Sequence, residues 1–180
     1  MLKSSSQTYG RVSQIFHWTV ALLVLSMLPM GILISRMDDS TFRTLLYQTH
    51  VAIGIFILVI EAARLLWRIS EPTPDIPEDM PRWNQLAYRG THYGLHLLTL
   101  IMAGSGIAAL LASGTGLFPW NVTPASVHHA APLRVHDIVS KLYILLFLAH
   151  FGGVLLHQFT KSDVLSRMGW RWWPTRINNP

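Results

Sequence analysis

Between Arg11 and Arg36 the chain carries no charged residue. The stretch IFHWTVALLVLSMLPMGILIS (residues 15–35), wound as a helix, is long enough to cross a hydrocarbon layer of about 30 Å. Three further runs are long and apolar: LLYQTHVAIGIFILVIEAARLLW (45–67), interrupted only near its end by Glu61 and Arg64, HYGLHLLTLIMAGSGIAALLA (92–112), and a segment over 138–159 that is free of charge from Leu142 to Thr160. These runs predict an all-α chain, an integral membrane four-helix bundle, forming a single membrane domain over residues 1–180. No internal repeat or low-complexity segment interrupts it.

Composition agrees with a solvent that is partly lipid. Of 180 residues 51% are hydrophobic and only 13% charged, about half the charged share of an ordinary soluble domain, and the mean hydropathy is +0.34. There is no cysteine, which excludes disulfides, thiolate nucleophiles, iron–sulfur clusters and Cys-ligated zinc. The nine histidines are then the main soft ligands. A net charge of +5 invites a nucleic-acid reading, but the basic residues gather at the ends of the apolar runs and form no polar stripe, so no nucleic-acid partner is expected.

Basic residues orient the spans. Lys3, Arg11, Arg64, Arg68, Arg82, Arg89, Lys161, Arg167, Arg171 and Arg176 fall on one side, Arg36, Arg43, Arg134 and Lys141 on the other. Both termini are therefore expected in the cytoplasm, with the two outward loops periplasmic if the host is a Gram-negative bacterium. The first run follows Lys3 and Arg11 as a signal peptide would. Its core exceeds the roughly 7–15 residues of a signal's apolar region and no small-residue cleavage site follows, so a retained span is expected. SEPTPDIPEDMP (70–81) reads as a cytoplasmic loop, SGTGLFPWNVTPASVHHAAP (113–132) as a long outer loop, and RMGWRWWPTR, with Trp170, Trp172 and Trp173, as an interfacial tail.

This topology gives each histidine a depth. His17 lies near the cytoplasmic start of the first span and His50 near the outer start of the second. His136 and His150, fourteen residues apart on the fourth, share one stripe of a helix and stand roughly 21 Å apart along its axis. The four sort into two levels, His17 with His150 and His50 with His136. Two imidazoles facing each other inside a bundle are the axial ligand set of a b-type haem, which makes two haem b groups the expected cofactors and these four residues the ligands of their irons. A membrane histidine can also serve only to hydrogen-bond a neighbouring helix. Gly54, Gly104, Gly106, Gly152 and Gly153 suit either a flat ring or close helix packing. A competing class, a non-redox histidine-rich metal transporter or membrane anchor, predicts acidic partners near the histidines. Within the helices only Glu61 and Asp137 are offered.

YGRVSQIFHW (9–18), HVAIGIFILVIEAARLLWRISEPTP (50–74) and HDIVSKLYILLFLAHFGGVLLHQFTKSD (136–163) together resemble the prokaryotic cytochrome b561 family. The resemblance reaches all four spans. It implies a four-helix cytoplasmic-membrane protein with two b haems, at positions matching His17, His50, His136 and His150. It also implies a function: a member of this family resembles a superoxide:ubiquinone oxidoreductase, taking electrons from superoxide at the outer face and passing them to ubiquinone at the inner face. Similar cytochromes serve as membrane subunits of hydrogenases and other dehydrogenases, where a donor protein replaces superoxide.

Further roles follow as expectations. Arg11, Arg64 and Arg134 near helix ends are candidates to neutralise haem propionates, against positive-inside bias for the first two and simple solvation for the third. Arg134 and Lys141 would attract an anion such as superoxide. His157 and Lys161 match family positions and are the quinone-site candidates, the imidazole handing over protons and the lysine alternatively snorkelling. Glu61 departs from the family pattern at the cytoplasmic end of the second span; pairing with Arg64 or Arg68 near the interface and acceptance of a quinone proton are the two readings. His92 and His96, one turn apart, have zinc spacing without a third ligand, so a structural or propionate-contact role is expected. His128 and His129 are expected to be solvated.

Overall fold

The computed structural model describes residues 1–75, 81–160 and 164–170. Four long helices, α1 (Arg11–Arg36), α2 (Thr41–Ile69), α3 (Arg82–Ala112) and α5 (Pro132–Thr160), are each long and apolar enough to span a membrane. Between α3 and α5 lie a 3₁₀ turn (Pro119–Asn121) and the short helix α4 (Pro124–Val127); α6 (Val164–Arg167) follows α5. Every long helix begins before its apolar run, α3 by ten residues (82 against 92). Hydropathy marks where lipid begins, whereas a helix begins where backbone bonding begins. Pro81 caps α3 and the polar turns after it continue the helix into the interface. At α2 the Ser40 hydroxyl accepts the Arg43 N–H at 3.1 Å.

Close packing joins α1 to α2, α2 to α3 and α3 to α5. The pairs α1–α5 and α2–α5 are not among these. The central apolar cluster is built from Val20 and Val24 of α1, Ile57 of α2 and Tyr143 of α5, with Leu23, Met27 and Phe147 against it. Tyr143 stands seven residues from both His136 and His150, so this cluster separates the two histidine levels. Leu22, Leu25, Phe56, Val59, Leu145 and Leu148 are exposed on the outside of the helices, the surface lipid would cover.

Each end of the bundle is closed differently. At the end that the basic residues assign to the outside, Gly114 and Gly116, both at φ +73°, turn the chain out of α3 in a conformation that favours glycine. Val122 and Val127, essentially inaccessible, then pack on Leu110, Tyr47 and Val51. The Gln48 side-chain amide donates to the carbonyls of Trp120 and Val122 at 3.0 and 3.2 Å. At the other end the Tyr9 N–H donates to the Arg167 carbonyl at 3.0 Å, and the Arg167 guanidinium donates to the carbonyls of Gln7 and Asp75 at 3.0 and 2.7 Å. Glu71 accepts from Ser13 Oγ and from the Ser4 N–H. The loop predicted from 70 to 81 is thus bound to the N-terminal segment over Glu71 and Asp75; Lys161, Arg171, Trp172, Trp173 and Arg176 lie outside the described residues.

Val122→Ala removes about 1.6 kcal/mol of buried methyl surface and should open the outer loop about tenfold more often. The expected readout is faster limited proteolysis within residues 113–131 with unchanged helical circular dichroism.

Candidate functional site

Histidines from three helices meet in two pairs. His17 of α1 faces His150 of α5 with ring centroids 6.4 Å apart and planes at 64°. His50 of α2 faces His136 of the same α5 at 6.2 Å and 72°. The fourteen-residue step on α5 puts both of its imidazoles on one stripe, and α1 and α2 each present a partner at the matching depth. Both pairs therefore bridge helices that do not pack closely against each other.

Hydrogen bonds orient the rings. His136 Nδ1 donates to the Met102 carbonyl at 2.9 Å, with Ser105 Oγ at 3.3 Å, so Nε2 is the nitrogen whose lone pair could bind a metal. His50 Nδ1 is buried and without a hydrogen-bond partner. A Cβ added at Gly31 would sit 3.4 Å from the His50 ring, and one at Gly106 3.5 Å from His136 Nδ1, so these two glycines allow the backbone to flank the outer pair. Of the glycines read from the sequence, Gly106 alone lies against an imidazole. A Cβ at Gly54 would touch Met27, and at Gly104, Gly152 and Gly153 it would meet nothing within 4 Å.

Around the inner pair the polar groups are denser. Arg64 Nη2 lies 3.2 Å from His17 Nδ1. Arg64 thus turns inward, where charge bias alone would leave it at the interface, and its Nη1 lies 3.5 Å from Glu61 Oε2. Glu61 is 1% exposed and hydrogen-bonds His96 Nδ1 through Oε1. Glu61 sits two turns before the end of α2 at Ile69 and is enclosed between α2 and α3. Of its two expected partners it takes Arg64, while Arg68 lies over the Tyr93 ring at 5.3 Å.

His92 Nδ1 donates to the Tyr88 carbonyl at 2.7 Å, and its ring meets His150 edge-on at 4.9 Å. Because His96 is taken by Glu61, His92 and His96 do not converge, and no metal-binding cluster occurs among the described residues. His157 Nε2 is 3.3 Å from the Asn84 amide at the start of α3. Lys141 is bridged to Asp137 at 2.7 Å, and both are largely exposed. Arg134 is exposed in the first turn of α5 and Arg11 in the first turn of α1. His128 and His129 are exposed in the outer loop, beside a surface cavity that Asp39 and Arg43 also line. Sequence reasoning missed the Glu61–His96 contact and the Asn84–His157 contact. The available signal for the first was two ionisable side chains on different apolar runs, each needing a partner.

The profile described as "Prokaryotic cytochrome b561" matches residues 8–171. The chain belongs to the prokaryotic cytochrome b561 family. It is 27% identical over 175 residues to "Cytochrome b561 homolog 2" of Escherichia coli (strain K12), covering 92% of this chain and 93% of that protein. To "Cytochrome b561 homolog 1" of the same organism it is 28% identical over 133 residues, 69% of this chain and 74% of the relative. "Probable superoxide oxidase CybB" of Yersinia pestis is 28% identical over 160 residues, 84% of this chain and 90% of the relative. Membership makes this a membrane cytochrome of electron transport with b-type haem, and sets aside the non-redox transporter or anchor.

The geometry of this cytochrome fits that group. Two imidazoles on opposite sides of one metal, at about 2.0–2.1 Å per metal–nitrogen bond, would have ring centres roughly 6.3 Å apart; the two pairs stand at 6.4 and 6.2 Å. The His92–His150 approach of 4.9 Å is too close for such sharing and matches an ordinary edge contact. The purified protein should show a Soret band and a reduced b-type α band. Gly106→Leu, which drives a side chain against His136, should lower the haem-to-protein ratio measured by pyridine haemochrome.

Proposed function

We propose that this cytochrome holds two haem b groups, His17 with His150 near the cytoplasmic face and His50 with His136 near the periplasmic face, with both termini in the cytoplasm of a bacterial inner-membrane protein. We further propose that it oxidises superoxide at the periplasmic face and reduces ubiquinone near the cytoplasmic face. The observation that carries the reading is the pair of equal imidazole separations, 6.4 and 6.2 Å, reached from one stripe of α5. The name of the Yersinia pestis relative, a probable superoxide oxidase, supports the choice of donor. When bound, b-type haem supplies a one-electron carrier tuned by its ligands and their hydrogen bonds.

The chain's own residues supply the rest. Arg134, exposed two residues before His136, attracts an anion toward the outer pair. Lys141 does so less, because Asp137 compensates its ammonium. At the inner face ubiquinone must gain two electrons and two protons, matched by two superoxide ions each leaving as dioxygen. His157, oriented by Asn84 and one in-phase step beyond His150, hands protons to the quinone; Lys161 is proposed beside it. Arg11 is proposed to face the inner haem's propionates from the first turn of α1, and Arg64 to act on the same haem through His17.

His17→Ala and His150→Ala should each remove about half of the haem and spare the outer site; equal loss of both haems would refute the pairing. His157→Ala with full haem content should slow superoxide-driven quinone reduction in liposomes by about 10²-fold. Haem-replete wild type without turnover would favour the alternative, a dehydrogenase membrane subunit that awaits its donor protein.

A further inference from the structure

A carboxylate in a membrane span is costly unless it is paired, and Glu61 is 1% exposed in the middle of this bundle. Its two oxygens face different helices. Oε1 is hydrogen-bonded to His96 of α3, and Oε2 faces Arg64 Nη1 at 3.5 Å. The other guanidinium nitrogen of Arg64 lies 3.2 Å from His17 Nδ1. A polar chain, His96–Glu61–Arg64–His17, therefore crosses from α3 through α2 to α1 and ends on one imidazole of the inner pair. Beyond it, one turn outward on α3 from His96, Thr99 Oγ1 is 3.3 Å from the buried Tyr143 hydroxyl.

Nothing about helix packing requires this arrangement. Apolar residues at 61 and 96 would satisfy an α2–α3 contact without burying charge. Arg64 could also reach the interface by its own length, as arginines near helix ends do. It is instead turned inward with a buried counter-ion behind it.

We infer that Glu61 is a positioning residue: it holds Arg64 on His17 and balances that guanidinium's charge, and His96 fixes Glu61 in turn, so the network sets the reduction potential of the inner haem but not of the outer one. The inference rests on reading His17 and His150 as ligands of an inner haem. The physical basis is charge. An oxidised bis-imidazole haem carries one more positive charge than the reduced form, so a nearby guanidinium favours reduction and a nearby carboxylate opposes it. With both present the effects offset; with the carboxylate gone, Arg64 acts alone.

The test is a spectroscopic redox titration of the haem-loaded protein, with the inner potential identified as the one absent from His150→Ala. Glu61→Gln, which keeps shape and removes charge, should raise the inner potential enough to change its reduced-to-oxidised ratio at least tenfold at fixed electrode potential, about 59 mV for one electron. The outer potential should move much less. Glu61→Asp should lie near wild type, Arg64→Gln should shift the inner potential downward, and the Glu61→Gln/Arg64→Gln double variant should return toward the starting value. Two resolved potentials that Glu61→Gln leaves unmoved, or moves equally, would overturn this inference and leave the two-haem reading intact. A wild type that titrates as a single haem would overturn both. If Glu61→Gln fails to assemble, Arg64→Gln decides, and an unmoved inner potential overturns the inference.

Discussion

In hydrocarbon a side-chain nitrogen or carboxylate has no water to bond, so a polar group inside this bundle is stabilised by a partner within the protein or on a cofactor. That constraint organises the interior. His136 is held by the Met102 carbonyl, His17 by Arg64, Arg64 by Glu61, and Glu61 by His96. His50, whose Nδ1 has no such partner, stands across from His136 at a separation suited to a shared metal. The polar residues thus collect at defined levels, and the helices between them remain apolar.

The apolar layer has its own consequence. Val20, Val24, Ile57 and Tyr143 pack between the two histidine pairs, keeping the levels distinct. The outer loop extends the same principle, with Val122 and Val127 closing the outer end over Tyr47 and Val51. At the opposite end the closure is polar, made by Arg167, Glu71 and backbone carbonyls. That end is where His157 and Asn84 meet.

Two features set the inner level apart from the outer one. It holds a third imidazole, His92, against His150, and a buried ion pair behind His17. The outer level holds neither and relies on backbone carbonyl, hydroxyl and glycine contacts. Unequal surroundings for chemically equal imidazole pairs give the two levels on one helix different character.

Much of this was legible in the sequence. The lengths of the apolar runs specify four spans because hydrocarbon thickness is nearly constant. The fourteen-residue step of His136 and His150 specifies two levels because a helix nearly repeats in phase every seven residues. Matching His17 with His150 and His50 with His136 needed only the alternating direction of successive spans. Helix starts were less legible, as α3 shows, since backbone bonding continues where hydropathy falls. The partners of Glu61, the inward turn of Arg64, the Asn84–His157 contact and the closure of the outer loop were decided by tertiary structure alone. Each depends on how one helix is rotated and shifted against another, a relation that the periodicity of a single segment does not contain.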